Sequence, residues 1–115
     1  MLEGLLGNIN KERVLVYLIA RGEGYPRAIA AFFDAPLTPI QAQAEKLETA
    51  GVLCSRFVGR TRLFSLNPRC VYREELKALI ERVLEFYPDR LREALLENRR
   101  RPRKPDKPLQ RRSTV

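Results

Sequence analysis

Two segments of this sequence carry amide and guanidinium side chains at positions where both kinds of group can recognise nucleic acid. Gln41, Gln43 and Lys46 occur together in a segment whose pattern predicts a helix. A glutamine amide can form a bidentate pair with an adenine edge in the DNA major groove. Arg60 and Arg62 lie at the tip of a predicted hairpin, where arginines can contact phosphates or the minor groove. These residue types fit a nucleic-acid contact.

Each of these side chains also has a plainer interpretation. The two glutamines could lie on a solvated helix surface, and the stem of Arg62 could pack over Phe57, its expected cross-strand neighbour. Arg27, in the first turn of another predicted helix, could contact a phosphate or only face solvent. The turn geometry favours a contact for Gln41, and the exposed tip favours one for Arg60. For Gln43, Arg27 and Arg62, both interpretations stay open.

The composition argues against an enzyme and against a metal site. The 115 residues contain no histidine and two cysteines, so a Ser-His-Asp or Cys-His nucleophile system is excluded within the chain. Two cysteines without histidine cannot complete a zinc site. No Gly-rich phosphate loop is visible. Cys54 and Cys70 could form a redox switch, but partially buried thiols are the simpler interpretation. We expect no catalytic residues, no metal and no cofactor.

The positive charge is concentrated at the C-terminal end. The formal net charge is +8, from 22 basic and 14 acidic side chains. Eight of the basic and one of the acidic side chains lie in 99–115, which leaves 14 basic and 13 acidic side chains in 1–98. Recurring prolines and few apolar residues predict a disordered basic tail at 99–115. The tail could clamp DNA without sequence preference, contact an acidic protein, or act only as a solubilising extension.

Two short predicted helices form a helix-turn-helix pattern. A first helix, over about 11–20, is capped by Asn8 or Asn10. A second begins at Pro26 and ends before Pro36. The next begins with Thr38 as N-cap, Pro39 at the first helical position and Gln41 completing a capping box, and it ends before Gly51. The second and third helices are joined by about three residues, and their apolar positions require mutual packing.

A hairpin follows, with residues 52–58 and 61–66 as strands and Gly59-Arg60 as a type II′ turn. The expected register pairs 57 with 62, 55 with 64 and 53 with 66. One face then carries the side chains that can close onto the helices, namely Leu53, Phe57, Phe64 and Leu66. The other face is expected to be more solvated and carries Cys54, Arg56, Leu63 and Ser65.

The pattern from 73 to 98 is helical again, and Pro88 must kink or split it. Its apolar stripe could pack on the chain's own core or pair with a second chain. The short apolar segment 2–7 could join that second interface. The side chains that we expect at a homodimer interface are Leu2, Leu5, Leu76, Ile80, Val83, Tyr87 and Leu91, with Leu79 and Phe86 on the flanks.

The helix and hairpin sequences resemble a known family. Residues 38–53, above all Lys46-Leu47-Glu48 followed by Gly51, are similar to the recognition helix and exit of ArsR-like and MarR-like bacterial regulators. The segment 59–68 is similar to the wing of that superfamily. The resemblance covers about residues 8–70. It implies a winged helix-turn-helix fold, mainly α with a small β-hairpin, followed by a long C-terminal helix and the disordered tail.

The resemblance also implies a function. A homodimer would bind double-stranded DNA as a transcriptional regulator, with the helix from Thr38 in the major groove and the wing on the flanking backbone. The implied contacts are Arg27, Thr38, Pro39, Gln41, Ala42, Gln43, Lys46, Arg60 and Arg62. The implied domains are 1–72 for the core, 73–98 for dimerisation and 99–115 for the tail. We expect a cytoplasmic, nucleoid-associated protein without a membrane segment.

A protein-interaction adaptor or accessory subunit is the alternative, with the tail giving only non-specific nucleic-acid binding. The near-neutral body favours it, and so does Glu45, which repels phosphate from the centre of the predicted recognition helix.

Overall fold

The computed structural model describes residues 1–100, with side chains as far as residue 97. This part of the chain is mainly helical and contains a small three-stranded antiparallel sheet with strand order β1-β3-β2. The predicted tail lies outside the described residues, except for its first two, which the last helix includes. In chain order the elements are α1 Glu3–Leu6, α2 Ile9–Arg21, β1 Glu23–Gly24, α3 Pro26–Phe33, α4 Leu37–Thr49, β2 Leu53–Val58, β3 Thr61–Leu66, α5 Arg73–Leu84 and α6 Asp89–Arg100.

Helix α2 forms the centre of the molecule. It begins at an N-cap by Asn8, whose side-chain oxygen accepts hydrogen bonds from the backbone N–H groups of Asn10 (2.7 Å) and Lys11 (3.2 Å). This confirms one of the two predicted caps. Residues 14–20 are all buried, and α2 packs against every other helix. An apolar helix buried on nearly all sides is typical of the middle of a core.

The start of α4 differs from the prediction. Asp34 adopts the left-handed conformation (φ 53°) after α3, and the chain then enters α4 through Pro36 with extended backbone (ψ 145°). Pro36, not Thr38, is therefore the N-cap, and no side chain caps this helix. Thr38 and Gln41 lie inside the helix, and an N-cap needs non-helical backbone angles, so the predicted capping box does not form.

The hairpin of β2 and β3 has the predicted register. Phe57 pairs with Arg62, Ser55 with Phe64 and Leu53 with Leu66. Gly59 has a positive φ of 66° while Arg60 does not, as a type II′ turn requires.

The sequence did not predict β1, which pairs with β3 through Glu23–Ser65 and Gly24–Phe64. A Cβ atom on Gly24 would lie 2.6 Å from the Tyr17 ring. Glycine therefore allows β1 to lie against α2.

The predicted faces of the hairpin are correct only at its base. Leu53 and Phe64 are each 1% exposed and belong to the core, as expected. Phe57 is 69% exposed, contrary to the prediction; it pairs with Arg62 next to the tip, away from the base of the hairpin, whose residues Leu53 and Phe64 belong to the core. Leu63, expected on the solvated face, is buried. Strand alternation shows which residues share a face of the hairpin but not what packs against that face. It therefore could not predict that Leu63 is buried.

The C-terminal segment is split at Pro88 into two helices, one of the two outcomes predicted for this proline, and the single long helix that the resemblance implies does not form. Helix α5 ends at Leu84 and α6 begins at Asp89, directly after Pro88. Ile80 and Val83 are buried against the chain itself, so they stabilise the fold and present no surface to a partner. Leu2, Leu76, Tyr87 and Leu91 are half-buried, whereas Leu5 is exposed. No helix within residues 1–100 is long and apolar enough to cross a membrane.

Candidate nucleic-acid interface

A groove of about 250 Å³ lies where the start of α3, the first turns of α4 and the tip of the hairpin meet. Four of the predicted contact residues line it, and they come from three different elements: Arg27, Gln41, Arg60 and Arg62. Apolar side chains line it as well, namely Pro26, Leu37, Phe57 and Phe64. The fold therefore brings together residues that are as far as 35 positions apart in the sequence.

The free positive charges of this groove belong to Arg27 and Arg60. Both side chains are exposed, and neither forms an ion pair with any residue that the structure describes. Gln41 is exposed in the same groove, and its amide forms no hydrogen bond with the residues that the structure describes. An amide beside two unpaired guanidinium groups can pair with a base edge while the arginines contact the flanking phosphates.

Arg62 is engaged within the protein. Its guanidinium forms an ion pair with Glu48 of α4 and lies 3.8 Å from a carboxylate oxygen of Glu45. It also donates hydrogen bonds of 3.2 and 3.3 Å to the hydroxyl of Ser55, and it stacks 5.0 Å from the ring centre of Phe64. The aromatic partner is therefore Phe64 and not Phe57.

Glu48 is the residue of this site that the sequence analysis missed. Its carboxylate accepts a 2.6 Å hydrogen bond from the Ser55 hydroxyl besides the ion pair with Arg62. These contacts connect α4 to both strands of the hairpin. The available signal was that Ser55 and Arg62 share the helix-facing side of the predicted hairpin. Arg62 offsets one of these two acidic charges, so Glu45, which lines the groove and had counted against a DNA contact, still repels phosphate in part.

The remaining predicted residues of α4 lie outside the groove. Thr38 and Lys46 are exposed, while Pro39 and Ala42 are half-buried. Gln43 does not lie on the helix flank as predicted. It is 8% exposed on the same buried face as Ile40, Ala44 and Leu47, and its side-chain oxygen has no hydrogen-bond partner among the described residues. A side chain on this face cannot reach a base edge without a change in the fold.

A second cluster of polar groups lies around the buried carboxylate of Glu12, which is 1% exposed. The backbone N–H of Leu2 donates to it at 2.7 Å, and the phenol of Tyr87 donates at 2.5 Å. Burial and this hydrogen bond raise the pKa of Tyr87 well above its ordinary value. Through these hydrogen bonds, the N-terminal segment at Leu2 and the connection between α5 and α6 at Tyr87 are both held against α2. None of these residues lines the groove.

The two cysteines are half-buried free thiols, and Cys54 lies 3.6 Å from the hydroxyl of Ser65. Within residues 1–100, no group of three or more His, Cys, Asp or Glu side chains could hold a metal ion.

Comparison with protein-family models finds no match to this chain, and comparison with curated proteins finds none either. Its function must therefore be inferred from its own residues and their geometry.

Proposed function

We propose that this chain is a winged helix-turn-helix protein of the ArsR-like and MarR-like kind that binds specific double-stranded DNA sequences as a transcriptional regulator. In this proposal α3 and α4 are the helix-turn-helix, and the hairpin of β2 and β3 is the wing. The observation that carries the proposal is the shared groove, where Gln41 of α4 lies with two unpaired arginines from α3 and the hairpin tip.

The proposed mechanism places the N-terminal half of α4 in the major groove of B-form DNA. Gln41 pairs with a base edge, where a good bidentate contact discriminates by about 1–3 kcal/mol. Arg27 and Arg60 contact phosphates on either side and fix the register of the helix. Thr38 and Lys46 are exposed on α4 and can reach adjacent backbone.

We propose a homodimer because these contacts are few. Three cations on this surface form no ion pair with the described residues, namely Arg27, Lys46 and Arg60, and affinity rises steeply with the number of phosphates neutralised. A second copy, the basic segment 99–115, or both must supply the remaining phosphate contacts. Two copies double that number and read two half-sites about one helical turn apart. Leu79 of α5 is 38% exposed, and Phe86, in the connection that follows the end of α5 at Leu84, is 66% exposed. These side chains, with Leu5, are the apolar surface that we assign to the second copy.

The experiment that tests the function is selection from random duplex DNA at about physiological salt. It compares the full chain with a version ending at residue 100, which keeps every residue that the structure describes. A shared palindromic motif from both versions supports the regulator. Binding without sequence preference by the full chain, and no binding by the shorter one, would contradict it. Gln41→Ala should relax one base position, whereas Arg90→Ala on α6, outside the groove, should leave the motif unchanged.

The adaptor remains a second candidate because of the hairpin tip. Phe57 and Val58 are 69% and 44% exposed there, and an exposed aromatic ring beside a groove is typical of a protein-binding surface. If this candidate is right, Phe57→Ala abolishes capture of a partner protein, while the selected DNA pool shows no motif.

A further inference from the structure

A second cavity, of about 200 Å³, lies between the end of α2, the end of β3 and the first turns of α5. Its apolar lining comes from Leu18, Ile19 and Leu66. Arg73 and Lys77, four residues apart on α5, line it with two positively charged side chains. No acidic side chain is among the described residues that line it. The cavity shares no lining residue with the groove proposed for DNA.

Arg21 also lines this cavity, but its charged group is used elsewhere. Its guanidinium donates to the backbone carbonyl groups of Ala94 (2.9 Å) and Leu95 (3.3 Å) and to the Tyr17 hydroxyl (3.0 Å). The cation of Arg21 thus holds α6 against α2. Three of its N–H donors are therefore occupied, but its acceptors are neutral, so its positive charge adds to those of Arg73 and Lys77 at the cavity.

Both remaining cations have unused hydrogen-bond donors. Arg73 pairs through one terminal nitrogen with Glu74, but its Nε is buried and has no hydrogen-bond partner among the described residues. Lys77 is half-buried and forms no ion pair with any residue in the described part of the chain. Because the Nε is buried, the donors open to a ligand in the cavity are the second terminal nitrogen of Arg73 and the ammonium group of Lys77.

We propose that this cavity binds a small carboxylate with a short aliphatic body. The carboxylate oxygens accept from Arg73 and Lys77, because charge-assisted bonds to a carboxylate are among the strongest that arginine forms. The aliphatic body packs on the three apolar residues of the lining. An inorganic anion has no apolar part and would make no such contact. The proposal does not rest on the DNA contact, because the two linings share no residue.

The test is a titration of the full chain, labelled with 15N, with isobutyrate, acetate and inorganic phosphate at constant ionic strength and without DNA. Backbone amide shifts of Gly22 and Leu66 report the site, because both residues line the cavity. We expect saturable shifts with isobutyrate and roughly tenfold weaker binding of acetate, which lacks two aliphatic carbons. Phosphate binding as tightly as isobutyrate, or no saturable shift with any of the three anions, would overturn the proposal.

Four variants separate this site from general attraction of anions to a basic protein. Arg73→Gln and Lys77→Gln should each weaken isobutyrate binding about tenfold or more, whereas Arg90→Gln on α6 should not change it. Glu74→Gln should strengthen binding, since it releases the terminal nitrogen of Arg73. Lys77 is exposed enough to be replaced without loss of the fold, so its variant decides the outcome if Arg73→Gln does not fold. Unchanged binding in Lys77→Gln would overturn the proposal.

Discussion

Two arginines on the hairpin, two positions apart, have different surroundings and therefore different expected roles. Arg60 extends from the turn with no ion pair in the described part of the chain, whereas Arg62 is bound to Glu48 and Ser55 and stacks on Phe64. From the sequence, both arginines lie at the tip of the hairpin, and both were predicted to contact phosphates or the minor groove of DNA. Only the position of α4 relative to the hairpin shows which charge is already compensated.

Arg60→Ala should lower DNA affinity at every sequence and reduce the slope of log affinity against log salt by about 1, because it removes one phosphate contact. The free energy of unfolding should change by less than about 0.5 kcal/mol, as is usual for an exposed side chain. Binding isotherms at several salt concentrations measure the first effect and urea unfolding the second. If the slope of log affinity against log salt were unchanged, Arg60 would not contact a phosphate.

Arg62→Ala should instead destabilise the protein by about 1–2 kcal/mol, since a half-buried ion pair and its hydrogen bonds are lost. Glu48→Gln should have a smaller effect, and the double variant should destabilise by less than the sum of the two single variants. Urea unfolding of the four proteins gives the coupling energy. Strictly additive effects would show that the contact between α4 and the hairpin contributes nothing.

Tyr87 predicts how stability depends on alkaline pH. Folding raises the pKa of its phenol above the ordinary value of 10.0, so the folded protein keeps a proton that the unfolded chain releases. The contribution is present in full below pH 10 and is lost as the pH rises above it. Tyr87→Phe should lose about 1–3 kcal/mol at pH 7, because Glu12 loses a donor. Its stability should then fall less between pH 9 and 11 than that of the wild type, measured by urea unfolding.

At the scale of elements, the sequence predicts what local geometry determines. The hairpin register follows from alternation and a two-residue Gly-Arg turn, and it is confirmed at every predicted pair. Strand β1 was missed because two residues are too few for any periodic pattern. The start of α4 was misplaced because Thr38, Pro39 and Gln41 satisfy the capping rule, while the left-handed turn at Asp34 already brings the chain into the helix at Leu37.

The contact of β1 with α2 makes Gly24 the position where a single methyl group should matter most. In Gly24→Ala the new Cβ would lie 2.6 Å from the Tyr17 ring, so ring and strand must move apart. We expect a loss of about 1–3 kcal/mol in the free energy of unfolding. Gly4→Ala is the matched control, because nothing lies within 4 Å of its added Cβ. Equal stability of the two variants would show that the strand adapts freely.

At the scale of the whole molecule, burial assigns the C-terminal stripe to the chain's own core. The periodicity of 73–98 is the same for a helix that packs inside a monomer and for one that pairs with a copy, so the sequence left both open. The structure buries Ile80 and Val83, and it leaves Leu79 and Phe86 exposed. A sequence pattern identifies apolar faces, but only the packed chain shows which of them has no partner.

A homodimer through this exposed face predicts a specific pair of results. Phe86→Asp should convert the dimer to a monomer in analytical ultracentrifugation and abolish selection of a palindrome, because a charge would then have to be buried at the interface. Phe57→Asp, an equally exposed aromatic at the hairpin tip, should leave the mass unchanged. A wild-type protein that sediments as a monomer at micromolar concentration would refute the dimer, while the groove could still bind DNA.

Strand β3 contributes Leu66 to the cavity and Arg62 and Phe64 to the groove. One short strand thus carries side chains into both proposed binding sites. If the strand has two preferred positions, an anion in the cavity and DNA in the groove are thermodynamically linked, and each changes the affinity of the other by the same factor. That reciprocity would couple a small acid to DNA affinity, and its size would be set by how differently the acid binds the two positions of the strand.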